Sequence, residues 1–255
     1  MNLKKMYNLR YILYLIVIVF TSGYLILLVY GYRINWNNFK IEKTSAIYIA
    51  SIPRDADVYL NSEMVSDSNP VRINNVFPGR YDIELKKDGY ENWKKTFFVR
   101  HDFISQAQDV ILILKDKKNI ELDDKESQFY KSILDNDDKL KQYAKNLYIK
   151  NDTEIYFDNI FLTRFSKEIK NLTWYADKKH IIFQLENEIF FMDTDGTNII
   201  CLARLSSSEK SSFISSNEGK YLIYTDIDEI KKVQITNINS LFQEKYFNRA
   251  VKIIR

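Results

Sequence analysis

Proline, glycine, cysteine and histidine are all scarce in this chain. Of its 255 residues, three are proline, six glycine, two histidine and one cysteine. A single cysteine, Cys201, excludes a disulfide within the chain, and we read it as a small apolar residue. His101 and His180 each stand alone in their local sequence, and no Ser-His-Asp arrangement can be read from such scattered residues. No glycine-rich phosphate loop is present. Excess charge of one sign is missing too: the formal net charge is +3 with 28% of residues charged. That balance excludes a nucleic-acid binder working through a general electrostatic footprint. The expectation is a protein that is not an enzyme, with no catalytic residues, no cofactor, no metal and no nucleic-acid partner. Its ligand-binding residues are unknown from sequence.

Where the few turn formers gather is informative. Pro53, Pro70 and Pro78 all lie between Ala46 and Trp93, with Gly79 and Gly89. Between them run short period-two stretches: Ala46–Ala50, Asp57–Leu60, Val71 and Ile73, Tyr81-Ile83-Leu85, Thr96–Val99 and Val110–Leu114. Strands this short, at this spacing, predict a small antiparallel sandwich. Each proline stands at the edge of a run, where a missing backbone donor costs least. Pro78-Gly79 fits a type II turn with Gly79 at positive φ, and Gly89 is expected to do similar work. The 18 tyrosines and 16 phenylalanines suit strands.

Charge is absent from Tyr11 to Tyr32, a run of Ile, Leu and Val with tyrosines at both ends. It is long enough to cross a bilayer as a helix, and it has neither a small-x-small cleavage site nor a cysteine placed for lipidation. We read it as a retained, single-pass anchor. Lys4, Lys5 and Arg10 precede it, while Arg33, Lys40 and Lys43 follow with Glu42 among them. This slight bias places the N-terminus in the cytoplasm and the body outside it.

The order Ser51-x-Pro53-x-x-Ala56-x-Val58-Tyr59, Asn69-Pro70, Pro78-Gly79-x-Tyr81 and Gly89-Tyr90-x-x-Trp93 resembles the PEGA domain of bacterial envelope proteins. The tetrapeptide that names the family falls on Pro53-Arg54-Asp55-Ala56, where Arg54 and Asp55 depart from it. Asn61 and Ser62 stand where a glycine often follows the second strand, and Asn tolerates the left-handed conformation. The resemblance implies a small β-sandwich outside the membrane, over residues 45–114, and no catalytic residues. Tyr90 and Trp93 are expected to pack under its last turn, with stacking on a cell-wall sugar as the competing reading.

Beyond a charged stretch, 115–131, which reads as a solvated linker or as the irregular start of the next unit, the chain repeats itself at a step of about 40 residues. Leu162-Thr-Arg-Phe165-Ser166 recurs as Leu202-Ala-Arg-Leu205-Ser206, and Trp174–Phe183 aligns with Ile214–Ile223. A weaker copy runs from Leu134 to Tyr143. The period suggests propeller blades, and Ile169–Leu202 resembles the blades of TolB-like propellers. About three units fit where closed propellers have at least four. An open stack, a degenerate fourth unit, association between chains, and an edge strand from the tail Ala250–Ile254 all remain as routes to closure. The acidic pairs Asp123-Asp124 and Asp137-Asp138 read as solvated loops rather than metal ligands. Asp193-x-Asp195-Gly196-x-Asn198 lacks the later ligands of a calcium loop, with Thr197 and Arg204 at those positions, and reads as a hairpin with Gly196 at positive φ.

The expected fold is mainly β: cytoplasmic tail 1–10, transmembrane helix 11–32, stalk 33–44, PEGA-like sandwich 45–114, linker 115–131 and propeller-like repeats 132–255, open or incomplete. The expected function is that of a membrane-anchored, non-catalytic envelope protein presenting β modules to cell-surface glycan or envelope proteins. The alternative is a regulatory or sensing subunit of a membrane complex.

Overall fold

The structure is a computed structural model that describes residues 3–101, 103–227 and 229–238. Its first element is helix α1 (Leu3–Val29). The stretch Arg10–Val29 is long and apolar enough to cross a bilayer, and none of the described residues buries it. The helix stops at Val29, three residues before the end of the uncharged run. Gly31 takes φ +82° and its N–H donates to the Leu28 carbonyl, a glycine stop at the C-terminus. The expected stalk is a hairpin, β1 (Tyr32–Asn35) paired with β2 (Lys40–Lys43). It is tied to the helix end. Thr44 donates from both its N–H and its hydroxyl to the Gly31 carbonyl, and the Arg33 guanidinium donates back to Leu28 O at 2.9 Å.

Strands β3 (Ser45–Ile52), β4 (Asp57–Leu60), β5 (Glu63–Ser66), β6 (Val71–Val76), β7 (Gly79–Lys86), β8 (Trp93–Val99) and β9 (Ser105–Ile111) form the sandwich. Its sheets are ordered β6-β3-β9 and β5-β4-β7-β8. Alternation does the work expected of it. Ile47 and Ile49 of β3, Val58 of β4 and Ile83 and Leu85 of β7 point into one core. The motif residues converge there: the buried Asn69 side chain accepts from Ser51 N and donates to Ser51 Oγ and Ala56 O, clamping the Pro53 turn. Asn61 (φ +50°) and Gly89 (φ +80°) take the expected left-handed conformation. Three details differ. The sandwich is not wholly antiparallel, because β9 runs parallel to β3. Gly79 begins β7 without a positive φ, since Pro78 leads straight into the strand. The exposed edge strand β5 lacks an apolar alternation and so leaves no trace in the pattern.

The registers give this sandwich two ends. Ser45, Val76, Gly79, Val99 and Ser105 lie at the end joined to α1, and Ile52, Asp57, Lys86 and Trp93 lie at the other. Strand β3 alone spans about 23 Å between them.

The remaining sheets stand at the far end. Strands β11 (Leu147–Lys150), β12 (Glu154–Phe157) and β13 (Ile160–Arg164) form one; β14 (Ile169–Trp174), β15 (His180–Leu185), β16 (Glu188–Asp193) and β17 (Ile200–Arg204) another. The third is ordered β10-β20-β19-β18, from β10 (Lys118–Ile120), β18 (Phe213–Ser215), β19 (Tyr221–Asp226) and β20 (Glu229–Gln234). The 40-residue step carries strand onto strand: Leu162 in β13 onto Leu202 in β17, and Phe183 in β15 onto Ile223 in β19. The weaker copy fails. Residues 124–143 form helices α2 (Asp124–Leu134) and α3 (Asp137–Tyr143), because their acidic pairs are helix starts. Asp123 caps α2 by accepting from Glu126 N, and Asn136 caps α3 by accepting from Lys139 N. Of the two readings of the charged stretch, the start of the next unit fits, since it holds strand β10 and the start of α2. The tail Ala250–Ile254 lies outside the described residues.

Candidate functional site

No linker separates sandwich from repeats. The chain leaves β9 as Ile111-Leu112-Ile113, and its alternation splits it between two cores. Leu112 joins the sandwich core. Ile111 and Ile113 join the core between the second and third repeat sheets, with Phe191, Leu202, Phe213 and Val233. Backbone bonds extend the joint: Leu112 N to Ile52 O, Glu91 N to Ile113 O and Leu114 N to Ile235 O, all at 2.8–2.9 Å.

Side chains complete it. Trp93 is 3% exposed and Tyr90 is buried too, so neither presents a ring to a sugar. The indole Nε1–H of Trp93 donates instead to Asp193 Oδ2 at 3.0 Å. Asn198 Nδ2 donates to the same oxygen and accepts, at Oδ1, from Lys94 N. Lys95 pairs with Asp195 at 2.8 Å, and Lys179 with Asp109 at 2.6 Å. The Asp193–Asn198 loop does turn at Gly196 with φ +80°. Its carboxylates and amide face the sandwich, however, and hold the first residues of β8.

Behind Asp193 lies His180, the first residue of β15 and almost fully buried. Its Nδ1 is 2.6 Å from Asp177 Oδ2 and its Nε2 is 3.4 Å from Asp193 Oδ1. Burial pulls its pKa down, and the two carboxylates outweigh that pull, raising it to about 9. The imidazolium thus sits between two anions, with the Phe191 ring stacked on it at 4.8 Å. Nδ1 is held by the Asp177 carboxylate, while Nε2 faces Asp193 Oδ1 at ion-pair distance. His101 is on the exposed β8–β9 connection, a strand's length away.

Beside the joint is an open cleft of about 500 Å³, lined by Glu91, Lys115, Lys117 and the stretch Ile199–Arg204. That stretch includes β17, which ends its sheet among the described residues. The half-buried Cys201 belongs to this cleft, and burial pushes its thiol pKa up, with Glu188 adding to the effect. A thiol held protonated is a poor nucleophile. Burial draws the Lys117 ammonium down, against the pull of Glu91. The cleft thus sets charged groups of both signs beside a sheet edge that has no strand neighbour among the described residues. The cleft was not foreseeable, because its lining comes from three separate parts of the sequence.

The PEGA domain family model matches residues 44–107, from the residue before β3 into β9. That stretch is similar to PEGA domains, which are an extracellular type of β module. No curated protein matches the chain.

Proposed function

We propose that this chain is a membrane-anchored, non-catalytic envelope protein whose PEGA domain holds the repeat sheets above the bilayer and whose cleft binds an extended segment of another envelope protein. The anchor is α1, retained as a single span with its N-terminus in the cytoplasm, and the three repeat sheets are propeller-like blades in an open stack. The observation that carries the reading is the cleft itself. It lies along β17, whose outer edge has no strand neighbour among the described residues, and an added strand would satisfy that edge through main-chain bonds while Lys115, Lys117, Glu91 and Arg204 select its side chains. A glycan target is less well supported, because Tyr90 and Trp93 are spent on the joint.

A photo-crosslinking residue at Ile199 in the full chain tests this in intact cells. The expected result is a discrete covalent adduct with another envelope protein. Absence of an adduct, together with retention of the same chain on isolated wall polymer, would overturn the protein target in favour of glycan. Protease added outside intact cells should digest the body, and protection until lysis would overturn the orientation.

A further inference from the structure

The α1-proximal end of the PEGA domain carries apolar side chains that no core uses. The hairpin loop Trp36–Phe39 presents its two aromatic rings edge to face, with Trp36 71% exposed and Phe39 81% exposed. Ile41 of β2 is exposed beside them. Phe39 reaches this position at φ +55°, a left-handed conformation that is costly for a bulky residue. A second segment arrives at the same end from elsewhere in the sequence. Phe103 and Ile104 are exposed on the β8–β9 connection, and the Phe103 carbonyl accepts a hydrogen bond from Ser45. Ser45 follows Thr44, whose two bonds to Gly31 fix it against the end of α1.

From this placement we infer that Trp36, Phe39, Ile41, Phe103 and Ile104 form an interfacial foot that rests in the surface of the lipid bilayer entered by α1. The inference depends on α1 being a span, as proposed above. Continuity names the occupant: the hairpin begins three residues after the helix ends and is bonded to its last turn. The hairpin is about 10 Å long, and the headgroup layer beyond the hydrocarbon is about 5–7 Å deep, so a lean of about 45–60° from the membrane normal brings the tip into that layer. Aromatic rings are favoured there, having an apolar body beside a wet boundary. A foot of this kind would fix the tilt of the body, which one helix alone leaves free.

The test uses the full chain in vesicles of phosphatidylcholine and phosphatidylglycerol. Trp93 and Trp174 are buried in the body, so the difference between the chain and its Trp36→Phe variant isolates Trp36. Its emission should be blue-shifted, lose most of its intensity to lipids brominated in their acyl chains, and resist aqueous iodide. A nitroxide on Phe103→Cys, in a Cys201→Ser background, should collide more with oxygen than with a water-soluble nickel chelate. A chain that floats with the vesicles but shows Trp36 quenched by iodide and not by bromine overturns the foot and leaves the anchor standing. Failure to float overturns both.

Discussion

Trp93 Nε1 donates a hydrogen bond to Asp193 Oδ2 across 3.0 Å and 100 positions of sequence. Between those atoms the PEGA domain ends and the repeats begin. A bond to a buried carboxylate is worth about 1.5–3 kcal/mol, so replacing Trp93 by Phe, which keeps a ring in the core, should destabilise the chain by about 2 kcal/mol. Asp193→Asn should be costly as well, because it also removes a partner from His180. The two substitutions should couple by at least about 1 kcal/mol in a double-mutant cycle, measured by urea unfolding of the full chain in detergent micelles. Simple additivity would show that the modules merely touch.

The His180 charge should make stability depend on alkaline pH. Its folded pKa, about 9, lies above the ordinary 6.5, so between those values the folded state holds the extra proton. The stabilisation is complete below pH 6.5 and is lost as pH rises through 9, in total on the order of 3 kcal/mol. Unfolding midpoints measured from pH 6 to pH 10 should fall, and His180→Gln should flatten that slope.

Two glycines should behave oppositely when replaced by alanine. Gly219 has φ +73°, and a Cβ there would lie 2.2 Å from the hydroxyl of the buried Tyr175. Gly219→Ala should cost about 2–4 kcal/mol, from left-handed strain together with the overlap. Gly79 has an ordinary φ, and its nearest atom to a new Cβ is 3.6 Å away. Gly79→Ala should be neutral or stabilising by about 0.4–1 kcal/mol. Thermal unfolding of both variants checks the contrast.

Cys201 should alkylate slowly. With burial raising its thiol pKa, iodoacetamide at pH 8 should modify it about tenfold more slowly in the folded chain than in the urea-unfolded one. Mass spectrometry of timed samples reads the difference, and equal rates would mean that Cys201 faces open water.

The PEGA domain was legible because its signals are local: proline, glycine and asparagine at run edges, and period two between them. Asn61 and Gly89 met their expected conformations on that ground, whereas Pro78-Gly79 fits either a turn or the opening of a strand, and the strand won. The acidic pairs were misread because Asp123 and Asn136 act through helix caps, which need the following helix to be recognised first. Strand β10 pairs with β20 more than 100 residues later, so nothing in its charged surroundings announces it. The joint was hidden for the same reason. Trp93 and Asp193 each look ordinary until the fold brings them together, and the alternation of Ile111-Leu112-Ile113 cannot say that its two sides face different cores.

The parallel pairing of β3 with β9 determines how the protein would bear a mechanical load. Tension arriving through α1 enters at Ser45, the first residue of β3, and tension from the repeats enters just after Ile111, the last residue of β9. Since the strands run side by side in one direction, the two pulls act at opposite ends and shear the ladder between them. All of its hydrogen bonds are then strained together, instead of opening one after another as in a peeled hairpin. The β3–β9 ladder is thus arranged to resist stretching between the α1 end and the repeat end of the sandwich.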